Sequence, residues 1–411
     1  MASADAPRPP WQGRRIVLGV TGGIAAYKSV TLARRLTRLG AEVDVVLSRS
    51  SREFVTPLTF EAVTGRPVLT DLFSVDGAAR HIRLGREADV VCIAPATADF
   101  IARAAQGRAN ELLTTTLLVT RTPVLLCPAM NDRMWAHPQV QANAGHCRER
   151  LGYHQLGPVA GPLAVGEGDG PGRMVEPEVI VEHLGRLLGG GGILEGRTVL
   201  VTSGPTREPL DPVRYLGNRS SGRMGFALAA AAWRRGAHVT VVTGPSALPR
   251  PEGVEVVPVE TAREMDAAVR DRVGEADVIV YAAAVADFRP VRAEERKRKR
   301  SRDGEGWAVE LTANPDIASG TKEHRKPGSV TVGFALESED LLSNAADKRE
   351  RKGFDLVVAN PAGEPDAGFE AETNRVTLLG SGKPEELPLL PKEAVAEMVL
   401  DRVEALLRGR V

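Results

Sequence analysis

Two stretches of this chain repeat one another: EADVVCIAPATADF at residues 87–100 and EADVIVYAAAVADF at residues 275–288. Each stands at the same place in a longer repeated plan. From Arg14 the sequence runs RRIVLGV, a TGG turn, IAAYKSVTLARRLTRLG and AEVDVVLS; from Arg197 it runs RTVLVT, a long polar loop, GFALAAAAWRRG and AHVTVVTG. An apolar run, a helix-period run that stops at glycine, and a second apolar run spell strand, helix and strand. A helix that carries the chain back between two strands makes those strands parallel. The runs ADVVCIAPA (88–96) and PVLLCPA (123–129) are apolar on both faces, the pattern of interior strands in a parallel sheet. Chance likeness among apolar strands is the plain alternative, but two echoes in the same order weigh against it. The expected fold is α/β, with two tandem doubly wound, Rossmann-like parallel-sheet domains, the first flavodoxin-like.

At 411 residues the chain is longer than a single hydrophobic core sustains, which also calls for two domains. Residues 185–196 read GRLLGGGGILEG, and consecutive glycines favour neither helix nor strand. Domains are expected at 14–188 and 197–411, joined by a Gly-rich linker at 189–196 and preceded by a disordered lead-in at 1–13. The lead-in lacks the apolar run of a signal peptide, and no window approaches a membrane span. Charge is balanced at 53 basic and 53 acidic residues, so nothing pulls the whole chain toward nucleic acid or a membrane. Cys92, Cys127 and Cys147 are too scattered for a disulfide framework or a metal cluster, and a cytoplasmic, reducing setting fits them. In the last helix, PKEAVAEMVLDRVEALLR, the expected buried stripe is Val395, Met398, Val399, Val403 and Leu406.

The polar loop of the second half, SGPTREPLDPVRYLGNRSSGRMG at 203–225, is far longer than the about 2–6 residues that usually join a strand to the next helix. A floppy insertion would not need arginines set among turn formers, so the loop is expected to be functional. In the first half the loops at the corresponding carboxyl ends are TGGIAAYK (21–28), APATADF (94–100) and PAMNDRMW (128–135), where a doubly wound sheet holds its ligands. The TGG turn is not a GxGxxG fingerprint, which argues against an NAD(P) dehydrogenase.

Taken as sets, these motifs resemble a known family. GPTREPLDPVRYLGNRSSGRMG is similar to the ligase signature of the bifunctional phosphopantothenoylcysteine decarboxylase / phosphopantothenate–cysteine ligase family of coenzyme A biosynthesis. AAAVADF (282–288), the basic run RKRKR (296–300), ANPDI (313–317), VGFALE (332–337) and KRERKGFD (348–355) follow in the family's order. GVTGGIAAYK, HIRLGREADVVCIAPATADF and PAMNDRMW resemble the FMN-dependent cysteine decarboxylases. The resemblance runs from about Arg14 to Gly380. It implies that Thr21, Gly22, Gly23, Ser48, Thr97 and Met130 line FMN, that His81 is the active-site histidine and that Asn131 holds the substrate carboxylate. In the second domain it implies Ala283 and Asp287 at the cytidine of CTP and Lys297 at the triphosphate and acyl phosphate. Pro315, Asp316, Ile317, Phe334, Lys348 and Lys352 take the rest of the nucleotide, and Asn218 serves the acyl cytidylate step. It further implies Mg2+ with CTP, phosphopantothenate and cysteine as small-molecule substrates, and a homo-oligomer; metal ligands stay unassigned.

The chemistry suits these residue types. A carboxylate must be activated before an amine displaces its oxygen, and a triphosphate site needs cations and backbone N–H groups. Taken alone, His81 reads as a surface histidine at a strand edge, and ERKRKRSR reads as a solvated arm or nucleic-acid patch. Two departures stand out. The family's KIKK is here Lys297-Arg298-Lys299-Arg300, which puts a charge where an apolar residue packs. The family's flap, of the type ACGxxGxGRM, carries a proton-donating cysteine; here the flap is GPLAVGEGDGPGRM (161–174), with Val165 or Gly166 at that position and Cys147 too far upstream to match. Three outcomes stay open: a complete bifunctional enzyme using water or Glu167 as donor, a ligase whose flavin domain stops at an enethiol, and a non-catalytic protein on a flavoprotein scaffold.

Overall fold

The computed structural model describes residues 11–73, 79–163, 165–166, 168–298, 307–337, 340–362, 368 and 371–410. The chain forms two compact units, residues 1–188 and 189–411. The first unit contains β1 (Arg15–Val20), α1 (Ala26–Arg38), β2 (Glu42–Leu47), α2 (Pro57–Thr64), α3 (Arg80–Glu87), β3 (Val90–Ala96), α4 (Ala98–Ala105), α5 (Leu112–Val119), β4 (Val124–Pro128), α6 (Asp132–Ala136), α7 (Pro138–Glu149), β5 (His154–Gln155), β6 (Val159–Pro162), β7 (Asp169–Arg173) and α8 (Pro177–Gly189). Its sheet runs β2-β1-β3-β4-β5 with every pairing parallel. That is the flavodoxin-like order, and the direction of travel reverses between β1 and β3. Apolar clusters cover both faces of the sheet, as the doubly apolar strands require.

In the second unit the elements are β8 (Thr198–Ser203), β9 (Arg207–Pro209), β10 (Tyr215–Gly217), α9 (Arg223–Arg234), β11 (His238–Thr243), β12 (Glu255–Pro258), α10 (Ala262–Val273), β13 (Val278–Tyr281), β14 (Phe288–Pro290), β15 (Leu311–Ala313), α11 (Ile317–Gly320), β16 (Val330–Glu337), α12 (Leu341–Lys352), β17 (Leu356–Pro361), β18 (Thr373–Asn374), β19 (Thr377–Leu379), β20 (Glu385–Glu386), β21 (Leu390–Pro391) and α13 (Lys392–Arg408). The main sheet runs β12-β11-β8-β13-β16-β17-β19-β20. Pairing is parallel from β12 to β17 and antiparallel for β17-β19 and β19-β20, so the sheet is mixed at one edge and not parallel throughout. Antiparallel neighbours need no crossover helix between them, which is why an α/β sheet takes an antiparallel edge cheaply.

The repeated EAD has a structural meaning. Asp89 accepts the backbone N–H of Arg15 (2.7 Å), and Asp277 accepts that of Thr198 (2.9 Å). Each aspartate therefore ties the strand it precedes to the first residue of the neighbouring central strand. Asp355 does the same for the N–H of Thr331 (2.8 Å), just ahead of β17.

Three expectations change. Trp11 is buried and its N–H donates to Leu39, so the lead-in does not extend to residue 13 as loose chain; residues 1–10 lie outside the described set. Leu194, inside the Gly-rich 189–196 stretch, is fully buried in the second unit's core, so that stretch is anchored and not a free linker. The buried stripe of α13 is Val395, Ala396, Val399, Leu400, Val403 and Leu407, while Met398 and Leu406 are only half-buried: the helix presents a face rotated by one residue toward its later positions. The 203–225 loop, for its part, carries strands of its own. β9 and β10 pair in an antiparallel ribbon, and Thr206, Glu208 and Asp211 are buried.

Replacing Asp277 with alanine removes the acceptor of the Thr198 N–H and leaves Lys326, 2.7 Å away, without its ion-pair partner. Asp277→Ala is expected to destabilise the second unit by about 1–3 kcal/mol, read as a shift of its urea midpoint, with Asp277→Asn losing less.

Candidate active site

Beyond the carboxyl ends of β8, β13 and β16 lies a cavity of about 640 Å³. Its floor is made by loops that stay hydrogen-bonded after their strands have ended. The N–H of Ala282 donates to Thr202 O (3.2 Å) and that of Ala284 to Gly204 O (2.9 Å), while Thr202 Oγ1 and Thr206 Oγ1 accept the N–H groups of Ala283 and Ala286. Asn218 closes this seam: its Nδ2 donates to Ala284 O (3.2 Å) and Val285 O (3.0 Å). α9 begins directly against the end of β8, and a Cβ on Gly225 would stand 2.4 Å from Ser203 Oγ, so only glycine fits there.

The cavity gathers residues that are far apart in sequence. Asn218, Ala283 and Asp287 line it, as do Pro315, Asp316 and Ile317, and so do Phe334, Lys348 and Lys352. Lys348 Nζ donates to Phe334 O (2.7 Å), and Lys352 Nζ pairs with Asp316 Oδ1 (3.0 Å). Burial first, and the like charge of Lys352 second, hold the Lys348 ammonium below the ordinary lysine range. For Asp316 burial pulls upward, but the hydrogen bonds from Lys352 and Ser319 outweigh it and hold the carboxyl low.

Lys297 is the exception. It is exposed and does not line the cavity of its own chain. The arm that bears it is fastened elsewhere: the Arg298 N–H donates to Asp211 Oδ2 (3.3 Å), and Arg298 O accepts from Arg214 (2.8 Å). The guanidinium groups of Arg214 (4.6 Å) and Arg298 (5.2 Å) both lie over the indole of Trp307. The charge that replaces the family's apolar residue is therefore accommodated by stacking, and the arm does not lose its packing. Lys299 and Arg300 lie outside the described residues.

In the first unit Thr21, Ser48, Thr97 and Met130 stand just beyond β1, β2, β3 and β4, all at the carboxyl edge. Thr21 and Thr97 meet across the strand-order reversal: Thr21 Oγ1 donates to Pro95 O (2.7 Å) and accepts the N–H of Thr97 (3.1 Å). Gly22 packs so closely on Ser50 that a Cβ would reach 2.4 Å from its Oγ, and a Cβ on Gly23 would touch Thr97 at 3.5 Å. Ser48 is buried and its Oγ accepts the N–H of Ser51 (3.3 Å). Asn131 caps α6, accepting the Arg133 N–H on its side chain (2.9 Å). His81 sits not at a strand edge but in the first turn of α3, and its Nδ1 is buried with no hydrogen-bond partner among the described residues. A buried ring nitrogen left unpaired is a group that a bound polar ligand satisfies.

Residues 7–189 match the Flavoprotein family, and residues 194–407 match the DNA/pantothenate metabolism flavoprotein C-terminal domain family. Three relatives are similar almost end to end, each called Coenzyme A biosynthesis bifunctional protein CoaBC. The Vibrio cholerae protein is 45% identical over 94% of this chain and 97% of its own, and that of Escherichia coli K12 is 44% identical over 95% and 97%. The Mycobacterium tuberculosis protein is 44% identical over 96% of this chain and 97% of its own. The chain belongs to the family of bifunctional coenzyme A biosynthesis proteins. It is a flavoprotein-family member in its first unit.

Against that membership the flap of the first unit is unusual. β6 and β7 form a hairpin whose base grips the loop after β4: the Met130 N–H donates to Gly172 O (3.0 Å), and a Cβ on Gly172 would collide with Met130 O at 2.1 Å. Its tip holds Val165, fully exposed, and Gly166, at φ +88°. Neither carries a transferable proton, and Glu167 lies outside the described residues. Cys147 cannot stand in. It is buried in α7, its thiol points at Ile101 O (3.9 Å), and burial pushes it up to about 11.

The sequence motifs did not single out Arg223, Asn374 or Lys392, which also line the second unit's cavity. Lys392 opens a helix that periodicity marks only as amphipathic, so nothing local distinguishes it from a solvated lysine.

All three cysteines are free and buried. A thiol titration with a disulfide reagent at pH 8 is expected to find no fast-reacting group in the native protein and three after unfolding; a fast native thiol would contradict the burial of Cys147.

Proposed function

We propose that the second unit joins 4'-phosphopantothenate to cysteine with CTP, through an acyl cytidylate, and that the first unit decarboxylates the product to 4'-phosphopantetheine with FMN. As a member of its bifunctional family the chain is a phosphopantothenate–cysteine ligase and a phosphopantothenoylcysteine decarboxylase. The observation that carries the mechanism is the convergence of Asn218, Asp287, Asp316, Phe334, Lys348 and Lys352 on one cavity at the switch point of the sheet.

In this reading the substrate carboxylate attacks the α-phosphorus of CTP and pyrophosphate leaves; the cysteine amine then attacks the acyl carbon and CMP leaves. Ala283 and Asp287 face the cytidine, while Pro315, Asp316, Ile317, Phe334, Lys348 and Lys352 hold the rest of the nucleotide. Asn218 is fixed by two backbone carbonyls and presents its remaining polar surface to the cavity, which suits a residue that orients a reacting acyl group. A magnesium ion, if bound with CTP, would supply charge neutralisation for the triphosphate, and its protein ligands stay unassigned. Lys297 retains its proposed role at the acyl phosphate only through the resemblance, since its own chain's cavity does not include it.

In the first unit Thr21, Gly22, Gly23, Ser48, Thr97 and Met130 form the edge that holds FMN. FMN bound there supplies a two-electron acceptor for the thiol-bearing carbon, giving CO2 loss the electron sink it otherwise lacks. His81 orients the thiol or carries its proton, and Asn131 binds the carboxylate without an ion pair that would stabilise the anion about to be lost. A homo-oligomer and a cytoplasmic setting belong to the same reading. The flap tip favours a second outcome for this half: with Val165 and Gly166 where the family has a cysteine, the product is the enethiol unless water protonates it. Mass analysis decides, since the enethiol is two hydrogens lighter than the thiol.

Asn218→Asp places a carboxylate against Ala284 O and Val285 O and adds negative charge beside a polyphosphate; ligation is expected to fall on the order of a hundredfold or more, with acyl cytidylate accumulating in a quenched assay. His81→Asn is expected to abolish CO2 release while flavin absorbance is retained. An anion bound beside Lys348 raises its depressed pKa, so in the alkaline window below the ordinary lysine value CTP binding takes up protons. The apparent binding enthalpy there is expected to depend on the buffer's ionisation enthalpy.

A further inference from the structure

α12 carries two of the lysines that line the second unit's cavity, Lys348 and Lys352, yet of its 12 residues only Ala345 is buried. α11, which presents Ile317 to the same cavity, is a helix of 4 residues. So little apolar burial leaves the position of both elements to polar ties. Arg325 supplies them. Its guanidinium donates from Nη1 to Lys352 O (3.1 Å) and Gly353 O (3.0 Å) at the end of α12, and from Nη2 to Ala318 O (2.7 Å) in α11. Its positive charge thus meets the carbonyl end of α12, where a helix favours a cation. The same group lies over the rings of Tyr281 (5.5 Å) and Phe354 (5.7 Å), both of which line the cavity. A Cβ on Gly333 would stand 2.2 Å from the Phe354 ring, so glycine there is what lets the ring lie against β16.

These ties close a ring of contacts. Asp316 caps α11 by accepting the Ser319 N–H (3.2 Å) and also pairs with the Lys352 ammonium (3.0 Å). Lys352 is therefore held twice, by its side chain through Asp316 and by its backbone oxygen through Arg325. A polyphosphate beside Lys352 competes with Asp316 for the ammonium. Arg325 does not itself line the cavity, so its bonds stand outside that competition and keep α11 and α12 at the same spacing. One of the rings under the guanidinium is fastened to α11 as well: the Tyr281 hydroxyl meets Thr321 Oγ1 (2.8 Å), which donates to Ile317 O (2.6 Å).

We propose that Arg325 is a positioning residue for the nucleotide: by clipping the end of α12 to α11 it sets the gap across which Asp316, Ile317, Lys348 and Lys352 face CTP. The inference rests on the reading of this cavity as the nucleotide site of the ligase. Arg325 touches no reacting atom and acts through these residues alone. A clip that survives ligand entry holds the bound shape beforehand, so binding need not order two weakly packed elements. The acid substrate, which the reading places at Asn218, lies against a different frame, the paired backbones of residues 202–206 and 282–286.

The test compares full-length wild type with Arg325→Met and Arg325→Lys. Two quantities are read: the Kd for CTP by calorimetry, and the KM for phosphopantothenate at saturating CTP in a pyrophosphate-release assay. Arg325→Met keeps a stem that packs on the two rings and loses all of the guanidinium's hydrogen bonds. Its Kd for CTP is expected to rise on the order of tenfold or more, with the phosphopantothenate KM unchanged. Arg325→Lys keeps the charge without the planar fork that spans both helices, so its CTP Kd is expected to fall between the two. That variant carries the comparison if Arg325→Met does not fold. Because the effect passes through Lys352, Arg325→Met is expected to add less in a Lys352→Met background than in the wild type. A CTP Kd unchanged in a folded variant, or raised by the same factor as the phosphopantothenate KM, would overturn the proposal and leave Arg325 a general structural role. Wild-type protein that binds no CTP would sink the nucleotide reading and this inference with it, whereas a wild type that binds CTP no better than its variants sinks the inference alone.

Discussion

The second unit's cavity depends on a seam of hydrogen bonds at the point where the strand order reverses. β8 and β13 are neighbours, but the chain leaves them in opposite directions, and parallel neighbours that diverge open a crevice at their carboxyl ends. What keeps the crevice narrow is that the departing loops remain paired: Ala282, Ala283, Ala284 and Ala286 all donate to Thr202, Gly204 or Thr206. Without small residues at 282–284 these backbones would not approach, and without the threonine hydroxyls two of those N–H groups would be buried unpaired. Asn218 adds its two bonds to the same loop, so the residue closest to the proposed chemistry is also part of the frame.

The first unit solves the same problem with a single side chain. Thr21 follows β1 as Ser203 and Gly204 follow the body of β8, and its hydroxyl both donates to Pro95 O and accepts the N–H of Thr97 across the reversal. The repeated EAD works at the opposite edge, where Asp89 and Asp277 hold the first residue of each central strand. The internal repeat thus encodes one sheet-building solution used twice, while the loops between diverged toward different ligands.

The long loop at 203–225 is ordered by carboxylates, not by apolar packing. Asp211 accepts from the Arg214 guanidinium, which with the N–H groups of Val213, Arg214 and Arg298 holds its carboxyl well below the usual range. Glu208 reaches across to the N–H of Ala262 at the start of α10 (2.9 Å), where a negative charge also meets the positive helix end. Arg207 in turn lies over the Tyr215 ring (4.5 Å), bracing the ribbon from within. Arg207, Glu208, Asp211 and Arg214 thus each have a geometric partner, and the ribbon they brace leads to Asn218.

The sequence by itself determined the fold class, the two-unit division and the strand order's logic, because two-faced apolar strands separated by helix-period runs admit little besides a doubly wound sheet. It also marked most of one site: Asn218, Asp287, Asp316, Phe334, Lys348 and Lys352 lie in motifs whose spacing carries the resemblance, and they converge on one cavity. Backbone and side-chain pairing decided the rest. Lys297, adjacent in motif, is carried off the cavity by an arm fastened to Asp211 and Trp307, and the strands of the second sheet's antiparallel edge are too short to carry a distinctive residue pattern. Arg223 lay inside the 203–225 motif without a role of its own, and Asn374 and Lys392 were invisible in the chain because their chemistry is not in their neighbours along the sequence. It arises only when α9, β18 and α13 bring buried polar groups to a common wall, where removal from water makes an unpaired charge or amide mean something it does not mean at a surface.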